Sequence, residues 1–278
     1  MGHSMFAQIN HIAMISQQNT LLQRYYQSLF GLQASENNRG KFVFGGAAGD
    51  GRVGFNFLPH RDGYVGGLDH FGMVVDSVEE AEDRMKSAHA GANIVKRPSR
   101  RPFAAYSGND PDGNVFDLAQ KDSENLDGVH KDHADKDYSR SQPRHANRYA
   151  IRTPNPEEVA QFYADVFELQ PVNRKEGDES HHLTDGQMTL TIMPWRIEKF
   201  AGMSIKRPGP DHIGFKVEDL DAFKSDVQEL AEWNTFFASR PLGGSEEAEV
   251  RKKLFTDSAL GDYQIADPDG NWIDITDE

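Results

Sequence analysis

The sequence predicts an α+β protein of two tandem domains, each built from a pair of strand-helix-strand modules. One observation is that an apolar strand opening with Asp-His-apolar-Gly occurs twice, at 69–72 and 211–214. Another is that each copy is followed by a helical segment and then by the turn Asp-Pro-Asp-Gly-Asn, at 110–114 and 267–271. A third is that a carboxylate stands three residues beyond each turn. A duplication on this scale in 278 residues indicates two domains.

Composition excludes several classes of protein. The formal charge of −14 and the sequence pI near 5.2 argue against a nucleic-acid surface, which requires a basic stripe. There is no cysteine, which rules out disulfides and thiolate metal ligands. The chain shows no secretory pattern and no apolar run of spanning length, so we expect a cytoplasmic protein without membrane contacts. The expected partner is a small-molecule substrate, and a homodimer is the default expectation for assembly.

The first half, residues 5–120, contains two modules in series. Hydrophobic spacing predicts helices, alternation predicts strands, and glycines mark the ends of both. Gly31 is expected to end the first helix, and Ser77 with Glu80 is expected to cap the second. The predicted elements are strand 10–16, helix 20–30, strands 41–44 and 52–58 around a glycine-rich hairpin turn at 45–51, strand 68–75, a helix from Ser77 to about residue 90, and strand 115–119.

The second half, residues 145–278, repeats this order after a polar linker at 121–144. Tyr163 in its first helix corresponds to Tyr26 at an offset of 137 residues. The predicted elements are strand 148–152, helix 156–167, strands 182–184 and 188–193, helix 220–233 and strand 272–275.

These features together resemble the vicinal oxygen chelate superfamily. The resemblance rests on the order of elements, the tyrosine-bearing first helix, the Asp-His-apolar-Gly strand and the Asp-Pro-Asp-Gly-Asn turn. It implies paired βαβββ modules that form a cup-shaped, half-open sheet in each domain. The superfamily includes glyoxalase I, extradiol dioxygenases, 4-hydroxyphenylpyruvate dioxygenase and antibiotic-binding proteins, so the resemblance implies a fold more firmly than a reaction.

The resemblance also implies where a metal ion would bind, since each cup takes its ligands from the first and fourth strands of two modules. The corresponding first-strand positions are His11, His70, Arg148 and His212, and the fourth-strand positions are Asn56, Asp117, Thr191 and Asp274.

Only one complete ligand set can be assembled from these positions, because the guanidinium of Arg148 has no lone pair to offer. If the modules pair within each half, as in extradiol dioxygenases, the triad is His11, His70 and Asp117. If they pair across the halves, as in single-chain glyoxalases, it is His11 with His212 and Asp274. We favour the local pairing, which leaves Arg148 opposite Asp274.

Two histidines and one carboxylate suit a non-haem Fe(II) centre, and the same ligands also hold Mn(II), Ni(II) or Zn(II). Two departures from the superfamily bear on the reaction. The usual carboxylate is Glu, and here it is Asp. The tyrosine of the extradiol signature stands one residue too early, at Tyr106 and Tyr263, and the segments before these residues contain no histidine.

Other candidates have a functional and a structural interpretation. Tyr106 and Tyr263 recur in both copies, which favours packing, and the alternative is a phenol that donates to a substrate oxygen. Arg148 is either a clamp for a substrate carboxylate or the partner of a facing aspartate. Arg97, Arg100 and Arg101 either attract an anionic substrate or belong to the solvated surface.

We therefore expect a metal-dependent enzyme, and specifically a non-haem Fe(II) dioxygenase of the ring-cleaving type acting on a small oxygenated or phenolic substrate. The alternatives are a glyoxalase-type metal-dependent lyase or isomerase, and a metal-free binding protein of the resistance type. The glyoxalase reaction requires a carboxylate base at the fourth-strand position, where this chain has Asn56 and Thr191.

Overall fold

The computed structural model describes residues 4–34, 46–97, 104–121, 143–196, 208–240, 242–244 and 246–278. In the described part of the first half there are eight strands and two helices, which include the predicted strands 10–16, 52–58, 68–75 and 115–119 and both predicted helices in the expected order. They are β1 Ala7–Ser16, α1 Asn19–Phe30, β2 Gln33–Ala34, β3 Gly46–Gly49, β4 Gly54–Pro59, β5 Gly67–Val75, α2 Val78–Ala88, β6 Val95–Lys96, β7 Tyr106–Asn109 and β8 Val115–Gln120.

The second half repeats this arrangement and adds a helix before its last hairpin. Its elements are β9 His145–Thr153, α3 Pro156–Phe167, β10 Gln170–Pro171, β11 His181–Thr184, β12 Thr189–Pro194, β13 Gly209–Lys216, α4 Leu220–Trp233, a 3-10 turn Thr235–Phe237, α5 Glu246–Ser258, β14 Tyr263–Ala266 and β15 Trp272–Thr276.

Each half forms one mixed sheet. The first has the order β2-β3-β4-β1-β5-β8-β7-β6, and the second has the order β10-β11-β12-β9-β13-β15-β14. The first strands of the two modules pair antiparallel in the middle of each sheet, β1 with β5 and β9 with β13. The modules therefore pair within each half.

The two faces of each sheet differ in side-chain character because alternate residues of a strand point to opposite faces. One face of the first sheet carries buried aromatic and aliphatic residues, such as Phe55, Phe71 and Phe116. The other face carries small and polar residues, such as Ala13 and Gly72. The apolar face packs against helices, so the polar face is left to form the cup.

The core is shared by the halves, although each half is long enough to hold its own. Helix α1 contacts α4, and α2 contacts α3. The ring of Phe30 in α1 stacks on Phe215 of the second sheet at 3.9 Å between centroids. In return, Tyr163 of α3 packs on Phe71 of the first sheet at 5.9 Å. One continuous apolar cluster therefore joins both sheets.

The two Asp-Pro-Asp-Gly-Asn turns are structural, as predicted, and they also connect the halves. The hydroxyl of Tyr26 donates to Asp267 at 2.9 Å, and that of Tyr163 donates to Asp110 at 3.3 Å. The first aspartate of each turn is fully buried and also accepts a side-chain amide of its own turn. Each half thus supplies a phenol donor to a buried carboxylate of the other.

Most predicted helices and strands are confirmed to within a few residues, including both ends of α3 and α4. Gly31 ends α1 in the left-handed conformation, with φ 70°. Ser77 caps α2 by accepting from the backbone of Glu80 at 3.1 Å. Among the described residues, no helix is both long enough and apolar enough to cross a bilayer.

Two expectations for the chain trace need correction. The hairpin turn predicted at 45–51 is wrong, because Gly46–Gly49 forms β3 and the chain reverses only around Asp50, whose carboxylate accepts from the backbone of Val53. Helix α5 was not predicted, since its charged sequence has little apolar periodicity. The predicted strand 41–44 and most of the linker lie outside the described residues.

Candidate metal centre

His11, His70 and Asp117 come together on the polar face of the first sheet. Each of the three offers one ligand atom, and these atoms lie within 4.8 Å of one another. Oδ2 of Asp117 is 3.2 Å from Nε2 of His70 and 3.9 Å from Nε2 of His11. All three residues are buried, with His70 the most exposed at 9%. The described part of the chain contains no other such group of three ligands.

Sheet register accounts for this convergence. His11 on β1 pairs with Gly72 on β5, and Gly72 pairs with Asp117 on β8. Paired residues of neighbouring strands share a face, so the two ligands lie on either side of the glycine. A Cβ at Gly72 would overlap the imidazole of His11. The absent side chain of Gly72 is therefore the space that the His11 ring occupies.

The preceding residue on the same strand orients each histidine. Nδ1 of His70 lies 2.7 Å from a carboxylate oxygen of Asp69, and Nδ1 of His11 lies 2.9 Å from the amide oxygen of Asn10. An acceptor at Nδ1 favours a proton on that nitrogen and leaves Nε2 as the ligand atom. Both Nε2 atoms face Asp117.

Asp117 is oriented by a hydrogen-bonded chain on its other side. The hydroxyl of Ser107 donates to Oδ1 of Asp117, and Nε of Arg97 donates to the Ser107 oxygen at 2.7 Å. Because Oδ1 is held in this way, Oδ2 is the oxygen presented to the histidines.

The metal-free site holds a proton. Burial lowers the pKa of His70, but hydrogen bonds to Asp117 and Asp69 outweigh this and raise it to about 9. Burial raises the pKa of Asp117, whereas His70, His11 and Ser107 together hold it well below its usual range. At neutral pH, His70 is therefore an imidazolium between two carboxylates. A divalent ion would replace that proton, and its two positive charges would then balance the carboxylates of Asp69 and Asp117.

The equivalent position of the second sheet is filled by the protein itself. Arg148 stands where the first half has His11, is 1% exposed, and donates from Nη1 to Oδ2 of Asp274 at 2.8 Å. The same Nη1 lies 3.3 Å from Nε2 of His212. Burial lowers the pKa of Arg148 to about 10, which still leaves it charged at neutral pH. A guanidinium therefore occupies the position in this cup that corresponds to the candidate metal site of the first cup.

Helix α5 covers the second cup. The ring of Phe255 packs on His212 at 4.7 Å and on Trp272 at 4.8 Å between centroids. After the helix, the backbone of Leu260 donates to Asp274 at 2.9 Å. His212 and Asp274 therefore do not join His11, so the triad expected for pairing across the halves is not assembled.

The catalytic interpretations of Tyr106, Tyr263 and Arg148 need correction. Tyr106 pairs with Leu118 and Tyr263 with Ile275, so both phenols lie on the apolar face of their sheets, opposite the cup. Both tyrosines pack against the core, in agreement with the packing interpretation. Arg148 is buried and ion-paired with Asp274, which agrees with its interpretation as the partner of a facing aspartate.

Sequence reasoning missed the residues that orient the ligands. A signal for them was available, since Asn or Asp precedes the first-strand position in every module. The pairs are Asn10-His11, Asp69-His70, Asn147-Arg148 and Asp211-His212. Ser107 carried no comparable signal, because its equivalent in the second sheet is Gln264.

A comparison with protein families agrees with this architecture. The family model of the Glyoxalase/Bleomycin resistance protein/Dioxygenase superfamily matches residues 8–118 and 145–275. The chain belongs to this superfamily. The two matched regions coincide with the two sheets, so each half is one unit of the superfamily fold. A search of curated proteins finds no match.

Solved structures of other superfamily members have the same fold. The 2,3-dioxygenase LapB from Pseudomonas sp. KL28 aligns with a TM-score of 0.63 and 14% identity, over 96% of this chain and 91% of that one. The Mn(II)-bound glyoxalase from Novosphingobium aromaticivorans aligns with a TM-score of 0.61 and 14% identity, over 97% of this chain and 82% of that one. BphC, a halotolerant catechol dioxygenase, aligns with a TM-score of 0.60 and 13% identity, over 99% of this chain and 87% of that one. At these identities the likeness establishes the fold only.

Proposed function

We propose that this protein is a metal-dependent dioxygenase that holds Fe(II) at His11, His70 and Asp117 and acts on a small substrate with two adjacent oxygens. The observation that carries the proposal is the convergence of these three side chains on the polar face of one sheet. Two imidazole nitrogens and one carboxylate oxygen on one side of an ion leave its other positions open.

The donor set fits such an ion chemically. Neutral imidazole and carboxylate suit Fe(II), and they also suit Mn(II), Ni(II) and Zn(II). When bound, the ion would supply Lewis-acid stabilisation of a chelated substrate anion and a binding position for dioxygen. Asp69 and Asn10 keep the two Nε2 atoms directed at the site, and Ser107 keeps Oδ2 of Asp117 available.

The pairing of modules within each half favours the dioxygenase over the glyoxalase-type alternative, since the resemblance associates local pairing with extradiol dioxygenases. A second observation points the same way. Asn56 pairs with Ala13 and so lies on the cup face, where the glyoxalase reaction requires a carboxylate base. An amide cannot accept a proton at neutral pH, so Asn56 cannot perform that step.

The test is metal content followed by oxygen uptake. Protein purified anaerobically with supplied Fe(II) is compared with His70→Ala and with His212→Ala, the matched change in the second half. We expect one equivalent of iron in the wild type and in His212→Ala, and none in His70→Ala. Oxygen uptake should then appear with catechols or hydroquinones only in the two iron-loaded proteins.

Three results would count against the proposal. Iron in none of the proteins would leave the metal-free binding protein as the better account. Iron retained in His70→Ala would place the ion elsewhere. Iron without oxygen uptake, together with turnover of a thiol adduct of a 2-oxoaldehyde, would favour the glyoxalase-type reaction.

A further inference from the structure

Arg97 is held in place by a hydroxyl group rather than by a carboxylate. Its Nε donates to the hydroxyl of Ser107 at 2.7 Å, and no ion pair joins it to any carboxylate in the described residues. Several other arginines are engaged in ion pairs with aspartate or glutamate: Arg84, Arg144, Arg148, Arg152 and Arg196.

Sheet register places Arg97 on the wall of the cup. Val95 on β6 pairs with Ser107 on β7, and Ser107 pairs with Asp117 on β8, so these positions share the polar face. Arg97 is two residues beyond Val95 and therefore returns to that face. Its backbone N–H donates to Ala105 at 2.7 Å, which continues the pairing as far as Arg97.

A single hydroxyl, that of Ser107, lies between the guanidinium of Arg97 and the candidate metal ligand Asp117. Nε of Arg97 donates to Ser107, and the described residues accept no hydrogen bond from its two terminal nitrogens, which can therefore donate to another molecule. Arg97 is partly exposed, whereas Asp117 beside it is buried. A planar pair of N–H donors in a fixed position is the arrangement that binds a carboxylate through two parallel hydrogen bonds.

The net charge of the site with a metal ion bound also favours an anionic ligand at Arg97. The two positive charges of a divalent ion are balanced by the carboxylates of Asp69 and Asp117, which both contact His70. Arg97 therefore leaves the loaded site with one net positive charge. An anionic substrate would neutralise it.

From this we infer that Arg97 binds a carboxylate group of the substrate, so that the enzyme acts on a molecule with two adjacent oxygens and a carboxylate beyond them. This inference rests on the proposed function for the oxygens, and on Arg97 alone for the carboxylate. Arg100 and Arg101, the other members of this basic run, lie outside the described residues.

The test uses two probes of nearly equal shape, 3,4-dihydroxybenzoate and its uncharged amide, 3,4-dihydroxybenzamide. Their Kd values are measured by calorimetry on the full chain, both metal-free and loaded with Zn(II), which has no redox chemistry and prevents turnover. In the wild type we expect the acid to bind about 10- to 100-fold more tightly than the amide, the range for one hydrogen-bonded ion pair.

Arg97→Gln should abolish this preference while leaving the Kd of the amide unchanged, and the unchanged amide value shows that the cup is intact. Arg240→Gln is the matched control, because Nε of Arg240 also donates one hydrogen bond, to the carbonyl of Pro268 at 2.8 Å on the second sheet. The control should keep the full preference.

Equal Kd values for acid and amide in the wild type would overturn the inference, and so would a preference that survives Arg97→Gln or a failure of both probes to bind. The proposed function fails on a separate criterion, namely if Zn(II) leaves the Kd of both probes unchanged. The ratio of the two Kd values in the metal-free protein tests the role of Arg97 whether or not Zn(II) changes the affinity for the probes.

Discussion

The proton held between His70 and two carboxylates should make the stability of the metal-free protein depend on pH in a defined window. The pKa of His70 is raised from 6.5 to about 9 by Asp117 and Asp69, against the effect of burial. A raised histidine pKa means that the folded protein binds the proton more tightly than the unfolded chain does. The resulting stability is fully present below pH 6.5 and is lost as the pH rises through 9.

The magnitude follows from the shift in pKa. One pKa unit corresponds to about 1.36 kcal/mol, so a shift from 6.5 to about 9 corresponds to at most about 3 kcal/mol of unfolding free energy. This is a substantial fraction of the stability of a typical domain, about 5–15 kcal/mol.

The assay is urea unfolding with a chelator present, at pH 6.5 and at pH 9. The wild type should lose up to about 3 kcal/mol between these values. His70→Gln removes the titrating group and should flatten the curve. His212→Gln is the matched control and should keep the wild-type slope, because burial lowers the pKa of His212 and that group does not titrate in this window.

A flat curve in the wild type would refute the reasoning, as would an equal slope in His70→Gln. The proton on His70 also allows a second measurement, because a metal ion binds only the neutral imidazole and must displace that proton. Loading the protein at pH 7.5 should therefore release about one proton, measured by calorimetry in buffers of different ionisation enthalpy. Release of no proton would show that His70 is neutral before the ion binds.

Two further substitutions test packing, one at the candidate metal site and one between the two halves. Gly72→Ala places a methyl group where the His11 ring lies, so metal content should fall to background while circular dichroism remains native; Gly66→Ala, whose Cβ would meet only ordinary contacts, should keep the metal. Metal retained in Gly72→Ala would show that His11 is not a ligand. Tyr26→Phe removes a hydroxyl donor from buried Asp267 and should lower the unfolding free energy by about 1.5–3 kcal/mol, measured in urea; an unchanged value would mean that this contact between the halves is not stabilising.

The sequence was sufficient to predict the order of the modules because the repeated motifs occur at turns and strand centres, where local chemistry dictates the residue. Gly113 and Gly270 take positive φ, of 84° and 90°, in the two matching turns. Such positions select glycine whatever the rest of the fold does. Strand alternation likewise specified which residues are buried. The fold class and the order of most elements could therefore be predicted from the sequence, whereas the candidate ligand positions came from the resemblance to the superfamily.

The pairing of the modules could not be predicted from the sequence, because pairing within a half and pairing across the halves satisfy the same local pattern. The choice depends on which strand edges meet, and that is a contact between residues far apart in the chain. The structure joins β1 to β5, so His11 meets His70 and Asp117. The placement of Tyr106 on the opposite face follows from the register of β7 against β8, which the sequence also left open.

The sequence by itself determined that this chain is a duplicated, cysteine-free α+β protein, because residue types and spacing are local properties. Its resemblance to the superfamily added two alternative two-histidine, one-carboxylate ligand sets, of which only one can form. Only the tertiary structure decided which half holds that set, how Arg148 and α5 fill the other cup, and that Ser107 and Arg97 lie beside Asp117. The physical reason is that sheet register and inter-half packing bring together side chains whose separation along the chain carries no information about their distance in space.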